Sequence, residues 1–219
     1  MAEDARDPRI NVIIHNDFTK YDAAVLKQLK GADGCVWALG ISQNSVTKED
    51  YITITKAFVL SAATTFSSAF ATKYRDAPFR FVYVAGGGTT TNPGLFTPLH
   101  GRTKGEAELA LANMFKSNSA IKGYSVRPYG VDMYRHDAIK PYVGPRPLAH
   151  RFAEGLLGPV IRNYAKDYWS PTEHLGAFLM ELALGRYDGL EQGAADIGVE
   201  TLDGFAIWSN AAFRRVKRF

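Results

Sequence analysis

Residues 81–106 read FVYVAGGGTTTNPGLFTPLHGRTKGE. The first five, Phe81 to Ala85, are apolar and rich in β-branched or aromatic side chains, the composition of a strand buried on both faces of a parallel sheet. Gly86, Gly87 and Gly88 end that run, and glycine allows backbone conformations and close approaches closed to other residues. From Lys104 to Lys116, Ala107, Leu111 and Met114 or Phe115 recur at helical spacing. His100 stands four residues before Lys104 at the mouth of this helix, so imidazole and ammonium share one face. A catalytic acid–base pair, the remnant of one, and two ordinary residues on a solvated turn are the competing readings.

The same alternation extends along the chain. Ile10 to His15 (INVIIH), Cys35 to Leu39 (CVWAL) and Gly123 to Arg127 (GYSVR) are further short runs with strand character. Between them, Tyr21 to Lys30 and the alanine-rich Thr47 to Thr72 carry helical stripes, the second with Tyr51, Ile54, Phe58 and Ala62. Strands alternating with helices imply a parallel sheet with right-handed crossovers, a doubly wound α/β fold. Ligands of such sheets bind at the carboxyl ends of the strands. Residues 131–219 read as a loop- and helix-rich cap: Pro141, Pro145, Pro147 and Pro159 break the pattern, and Ser170-Pro171-Thr172-Glu173 is a capping box opening a helix that Gly185 closes. The whole, 1–219, reads as one domain, with 10–130 as its sheet portion.

Composition excludes several classes. The chain of 219 residues is 46% hydrophobic and carries a formal charge of +4. Arg214-Arg215-Val216-Lys217-Arg218 is the one basic cluster and reads as a solvated terminus, so no nucleic-acid or membrane partner is expected. A single cysteine, Cys35, excludes an internal disulfide and reads as a buried structural thiol. No histidine pair has metal-site spacing, so no metal is expected. Neither a signal peptide nor an apolar run of membrane-spanning length stands out, and the expected location is the cytoplasm.

The segments V-Y-V-A-G at 82–86 and R-T-K-G-E-A-E at 102–108 resemble the short-chain dehydrogenase/reductase superfamily, in particular its atypical nucleoside-diphosphate-sugar-epimerase-like members. The resemblance implies a Rossmann-like nucleotide fold, NAD(P) as cofactor and a small carbonyl or hydroxyl compound as substrate. It sets Lys104 on the family lysine that binds the nicotinamide ribose, His100 on the proton-transferring tyrosine and Ala85 on the family serine. Alanine cannot orient a carbonyl, which leaves that task to Thr89 or Thr90; histidine exchanges protons near neutral pH. By the same resemblance Asp17 and Phe18 contact the adenine. Ala38, Leu39 and Gly40 form the turn beside the adenosine ribose, and Gly86, Arg127 and Pro128 lie near the nicotinamide. Tyr129, Tyr134 and Tyr142 line the substrate pocket.

One family feature is missing: no G-x-x-G-x-x-G opens any helix, so the NAD(P) implication is weakened. The pattern reads as an N-terminally truncated sheet, lacking about one βαβ unit before Ile10. In the family strand order, the strands at Ile10 and Cys35 would stand about 14 Å apart across a gap. Two alternatives are a sheet re-paired between those strands and a second chain on the open edge, a route to a homo-oligomer. Three functions fit: an NAD(P)-dependent oxidoreductase or epimerase-like enzyme, a non-catalytic interaction or sensor protein, and a cofactor-free isomerase or cyclase in the vacated groove.

Overall fold

Three of the apolar runs become parallel neighbours: β1 (Gly34–Trp37), β2 (Phe79–Val84) and β3 (Ile121–Arg127). The structure, a computed structural model, describes residues 8–71, 76–144, 148–191 and 193–219. A separate two-stranded ribbon pairs β4 (Gly130–Asp132) with β5 (Trp169–Pro171). The hairpin β6 (Val199–Leu202) and β7 (Phe205–Ser209) then completes the main sheet, with β7 parallel to β3 and β6 antiparallel at the edge. The order β1-β2-β3-β7-β6 makes a mostly parallel five-stranded sheet.

Helices cover both faces. Along β2, Phe79, Phe81, Tyr83 and Ala85 point to one side, where they meet α1 (Ala23–Gln28), α3 (Phe58–Phe70) and α4 (Leu99–Phe115). Val82 and Val84 point to the other, toward α6 (Thr172–Ala183) and α7 (Asn210–Lys217). This alternation is the two-residue period of a strand with core on both sides. The helix predicted over Thr47 to Thr72 forms as α2 (Lys48–Ile52), a π-helical segment Thr53–Ala57, and α3, without interruption. Thr72 lies outside the described residues. Among the described residues, no helix is long and apolar enough to cross a membrane.

Four expectations need correction. Ile10 to His15 forms no strand and does not pair with β1. It leads instead to a stretch that packs over α3: Phe18 sits against Trp37 and Phe58, and the Thr19 carbonyl accepts a hydrogen bond from Ser61 Oγ. A short apolar run becomes a strand only where a partner strand lies beside it. Residues 199–209, read as part of the cap, supply two strands of the main sheet. The loop-rich reading around Pro159 gives way to a seventeen-residue helix, α5 (Leu148–Tyr164), that carries this proline inside it. Ser170 does not cap α6; its hydroxyl donates to Asn210 Oδ1, and Pro171 occupies the cap position without a side-chain bond.

The basic cluster also differs from a solvated tail. Arg214 is buried, donates to the carbonyls of Trp169 and Phe219 and stacks on both rings. Lys217 bonds Glu181. Cys35 is half-buried and free, and burial pushes its thiol up to about 12.

Candidate active site

Each glycine after β2 has a different task. Gly86 takes φ +111°, and a Cβ there would lie 3.6 Å from Lys104 Nζ. Gly87 lies under the Tyr129 ring, where a side chain would collide, and its N–H donates to the Pro128 carbonyl at 2.6 Å. Gly88 takes φ +79° beside Nε2 of His100. The chain then runs across the start of α4, where Gly101 and Gly105 present bare backbone. Added methyls would stand 2.4 Å from the Gly88 carbonyl oxygen and 1.8 Å from that of Thr90. The spacing H-G-R-T-K-G is therefore a seat for the glycine loop as much as a helix start.

The N-terminus of α4 carries no side-chain cap of its own. Gln43, from the loop after β1, supplies one from 57 residues away: its Oε1 accepts the His100 N–H at 3.0 Å. One turn into the helix, Lys104 Nζ donates to the Ala85 carbonyl. Burial pulls the Lys104 amine below the usual lysine range, against the opposing charge of Glu108. Glu108 itself is fully buried; it accepts from Ser125 Oγ at 2.6 Å and from Arg127 Nε and Nη2 at 3.0 and 2.6 Å. That bidentate pair ties α4 to β3.

Above these residues, at the carboxyl ends of β1 and β2, lies a cavity of about 300 Å³ lined by Ile41, Ser42, Gln43, Asn44, Tyr51, Ala85, Gly86, Gly87, His100 and Lys104. It lies where strand topology predicts a ligand. Tyr51 is 1% exposed, and burial raises its phenol above the ordinary tyrosine value, so it stays protonated as a hydrogen-bond donor.

Of the residues singled out from sequence, His100, Lys104, Ala85 and Gly86 come together on this cavity. Thr89 is buried beside it, its Oγ1 without a hydrogen-bond partner among the described residues, while the Thr90 hydroxyl accepts the Asn92 N–H; neither lines the cavity. Asp17 is exposed and engaged by Thr19, and Phe18 packs against Trp37. Ala38, Leu39 and Gly40 are exposed past the end of β1, just before the lining residue Ile41. Arg127 is turned to Glu108, and Pro128 offers its carbonyl to Gly87. Tyr129 stacks edge-on to Tyr168, and Tyr134 lies under the Arg162 guanidinium in the cap. The Tyr142 side chain lies outside the described residues. Among the described residues, no cluster of side chains has the makings of a metal site. The sequence reading missed Gln43, Asn44 and Tyr51. Tyr51 looked like one more member of a core stripe, and only the loop's position at a strand end marked the others.

No protein-family profile matches the chain. It is 44% identical over 138 residues to the botcinic acid biosynthesis cluster B protein 16 of Botryotinia fuckeliana (strain B05.10), an overlap of 63% of this chain and 85% of that protein. The chain belongs to that protein's family. A second relative, the leucinostatins biosynthesis cluster protein T of Purpureocillium lilacinum, is 27% identical over 192 residues, covering 80% of this chain and 69% of its own. Among solved structures, a short-chain dehydrogenase/reductase family oxidoreductase from Burkholderia thailandensis superposes with a TM-score of 0.54 at 12% identity, over 94% of this chain and 75% of that one. This family member thus has the Rossmann-like doubly wound fold.

Proposed function

We propose that the chain is a reductase-type enzyme of a biosynthesis cluster, acting on a small carbonyl or hydroxyl compound in the cavity at the ends of β1 and β2. One observation carries this reading: the lysine in the family position brings a buried amine to the cavity, with the His100 imidazole one turn before it on the same helix. The residues present fit the nicotinamide-ribose end of NAD(P), with the Lys104 amine as donor and the side-chain-free Gly86 beside it on the cavity wall. When bound, that cofactor supplies or takes the hydride. The His100 side chain donates a proton to the substrate oxygen as a carbonyl becomes an alcohol, and takes it back in the reverse direction. The protonated Tyr51 phenol, which also lines the cavity, offers a second donor.

The second reading is a cofactor-free isomerase or cyclase. It is favoured by the lack, among the described residues, of a glycine-rich turn to cradle a pyrophosphate, and by a cavity at the small end of the range for ligand sites. Thermal melting with excess NADPH or NADH separates the two. A ligand at about 100 times its dissociation constant stabilises a folded chain by about 2.7 kcal/mol, or about 5–10 °C at this size. A shift in the wild type that Lys104→Ala abolishes supports the reductase reading; a cooperative melt indifferent to both cofactors refutes it.

A further inference from the structure

The side chains that line the cavity include two bases and no acid. His100 and Lys104 can hold positive charge, Ser42, Gln43, Asn44 and Tyr51 are neutral and polar, and the rest are apolar or glycine. The two acids of α4 are already committed: Glu106 pairs with Lys56 at 2.8 Å, and Glu108 takes the Arg127 guanidinium through two nitrogens. The Lys104 ammonium forms no ion pair among the described residues, and its hydrogen bond there goes to the Ala85 carbonyl. An ammonium has three protons, so two remain for ligands.

Two further features favour negative charge in this space. His100 and Lys104 stand in the first two turns of a seventeen-residue helix whose N-terminal end is met only by the neutral Gln43 amide. Such an end carries about half a unit of positive charge. The other feature is independent of that helix. Tyr51, 1% exposed, reaches the cavity from α2. Thr55 Oγ1, one turn further on, is buried without a hydrogen-bond partner, so the phenol's proton is not spent there. A buried phenol on a cavity wall with its proton unspent calls for an acceptor inside the cavity. A neutral oxygen would satisfy Tyr51 alone. Burial also disfavours the charged Lys104 amine, and a ligand anion would offset that cost.

We infer that the substrate of this site carries a carboxylate as well as its carbonyl or hydroxyl group, the acid group held by Lys104 and Tyr51 and the reacting oxygen at His100. The inference rests on the cavity being the active site, and it holds for either function proposed above. With one ammonium proton on the Ala85 carbonyl and one for a ribose hydroxyl, the third serves the carboxylate.

The test compares 2-oxobutanoate with 2-oxobutanamide, which match in size and differ in charge, by calorimetric titration of the full chain at neutral pH. The acid should bind at least about ten-fold more tightly, because hydrogen bonds to a charged acceptor are the stronger ones. Lys104→Gln keeps a donor for the Ala85 carbonyl but removes the charge, and it should bring acid and amide within about two-fold of each other. Tyr51→Phe keeps the ring and should weaken the acid about five-fold, which provides a second variant if the first does not melt cooperatively. Equal binding of acid and amide that is lost in His100→Phe overturns the inference and leaves the site reading standing. So does a preference for the acid that survives Lys104→Gln and Tyr51→Phe. Inorganic phosphate binding as tightly as the oxo acid marks a site for any small anion and also overturns the inference. Failure of both compounds to bind, or binding indifferent to His100→Phe as well as to the other two variants, refutes the site reading itself and the inference with it.

Discussion

Gly105→Ala is a severe test of how the glycine loop is seated. In an ordinary helix interior the change is favourable by about 1 kcal/mol, because alanine loses less backbone freedom. Here the new methyl would stand 1.8 Å from the Thr90 carbonyl oxygen and 2.5 Å from its carbon, both backbone atoms that no rotamer can move aside. Restoring van der Waals contact requires the loop and α4 to part by on the order of 1.5 Å. Overpacking costs about 1–3 kcal/mol, and a contact this short against immovable backbone belongs in the upper part of that range, about 2–3 kcal/mol, so the clash outweighs the propensity gain. The expected net loss is about 1–2 kcal/mol, a fall in Tm of about 2–8 °C for a chain of this size. Gly176→Ala supplies the control, since Gly176 sits in α6 and an added methyl would meet nothing within 4 Å. There the propensity gain is unopposed, and Tm should rise by about 2–4 °C. Calorimetric melting of both variants reads the signs directly. A Gly105→Ala chain as stable as the wild type would mean that the loop does not rest on α4, and the account of His100's placement would fall with it.

Gln43→Ala removes the cap that crosses to α4 and should cost about 1 kcal/mol, whereas Gln43→Glu keeps an acceptor at the positive end of the helix and should match the wild type; equal melting of the alanine variant would refute the cap. Asp188 accepts from Arg80 and Tyr124, and although burial pushes its carboxyl up, those bonds hold it below the usual range. Its stabilisation is therefore full above the unfolded value near 3.9 and is lost as pH falls through the lower folded value. Asp188→Asn should be about 1–3 kcal/mol less stable at pH 7, with the gap closing below about pH 4 in urea titrations; a gap constant with pH would contradict this. Carbon-13 NMR of reductively methylated chain should show Lys104 titrating below the exposed lysines. Because the unfolded chain then binds that proton more tightly, Lys104's contribution to stability grows as pH rises toward the unfolded value; titration alongside the other lysines would refute its burial.

Much of the sheet was legible because β1, β2 and β3 are short, largely apolar and followed by polar, glycine or proline residues, and burial on both faces writes itself into such runs. Ile10 to His15 carries the same lettering but lacks a neighbouring strand, and pairing is a tertiary fact that the run itself does not contain. The opposite error fell on residues 199–209. Their hairpin turn, Asp203-Gly204, has both φ angles positive, at 50° and 89°. Asp-Gly between two apolar stretches signals such a turn, and it was available to sequence reasoning. At the site, the i, i+4 spacing of His100 and Lys104 survived intact because it needs only a helix. Gln43 and Tyr51 escaped because they reach the cavity from a loop and from another helix, contacts set by packing at long sequence distance.

The π-helical turn at Thr53–Ala57 decides which way Tyr51 looks. Tyr51, Thr55 and Val59 are spaced by four and are all buried. On a regular helix, steps of four residues would wind round by about 40° each, carrying Tyr51 away from the line of Val59 by about 80°. The wider turn takes up that winding and returns the phenol to the sheet side. The tyrosine's aim is thus stored in the pitch of the backbone rather than in its own rotamer. A single-residue deletion in this turn would act like a key turned in a lock, swinging every residue upstream by about 100° and closing the hydroxyl's view of the cavity while leaving the helix almost as long and as apolar as before.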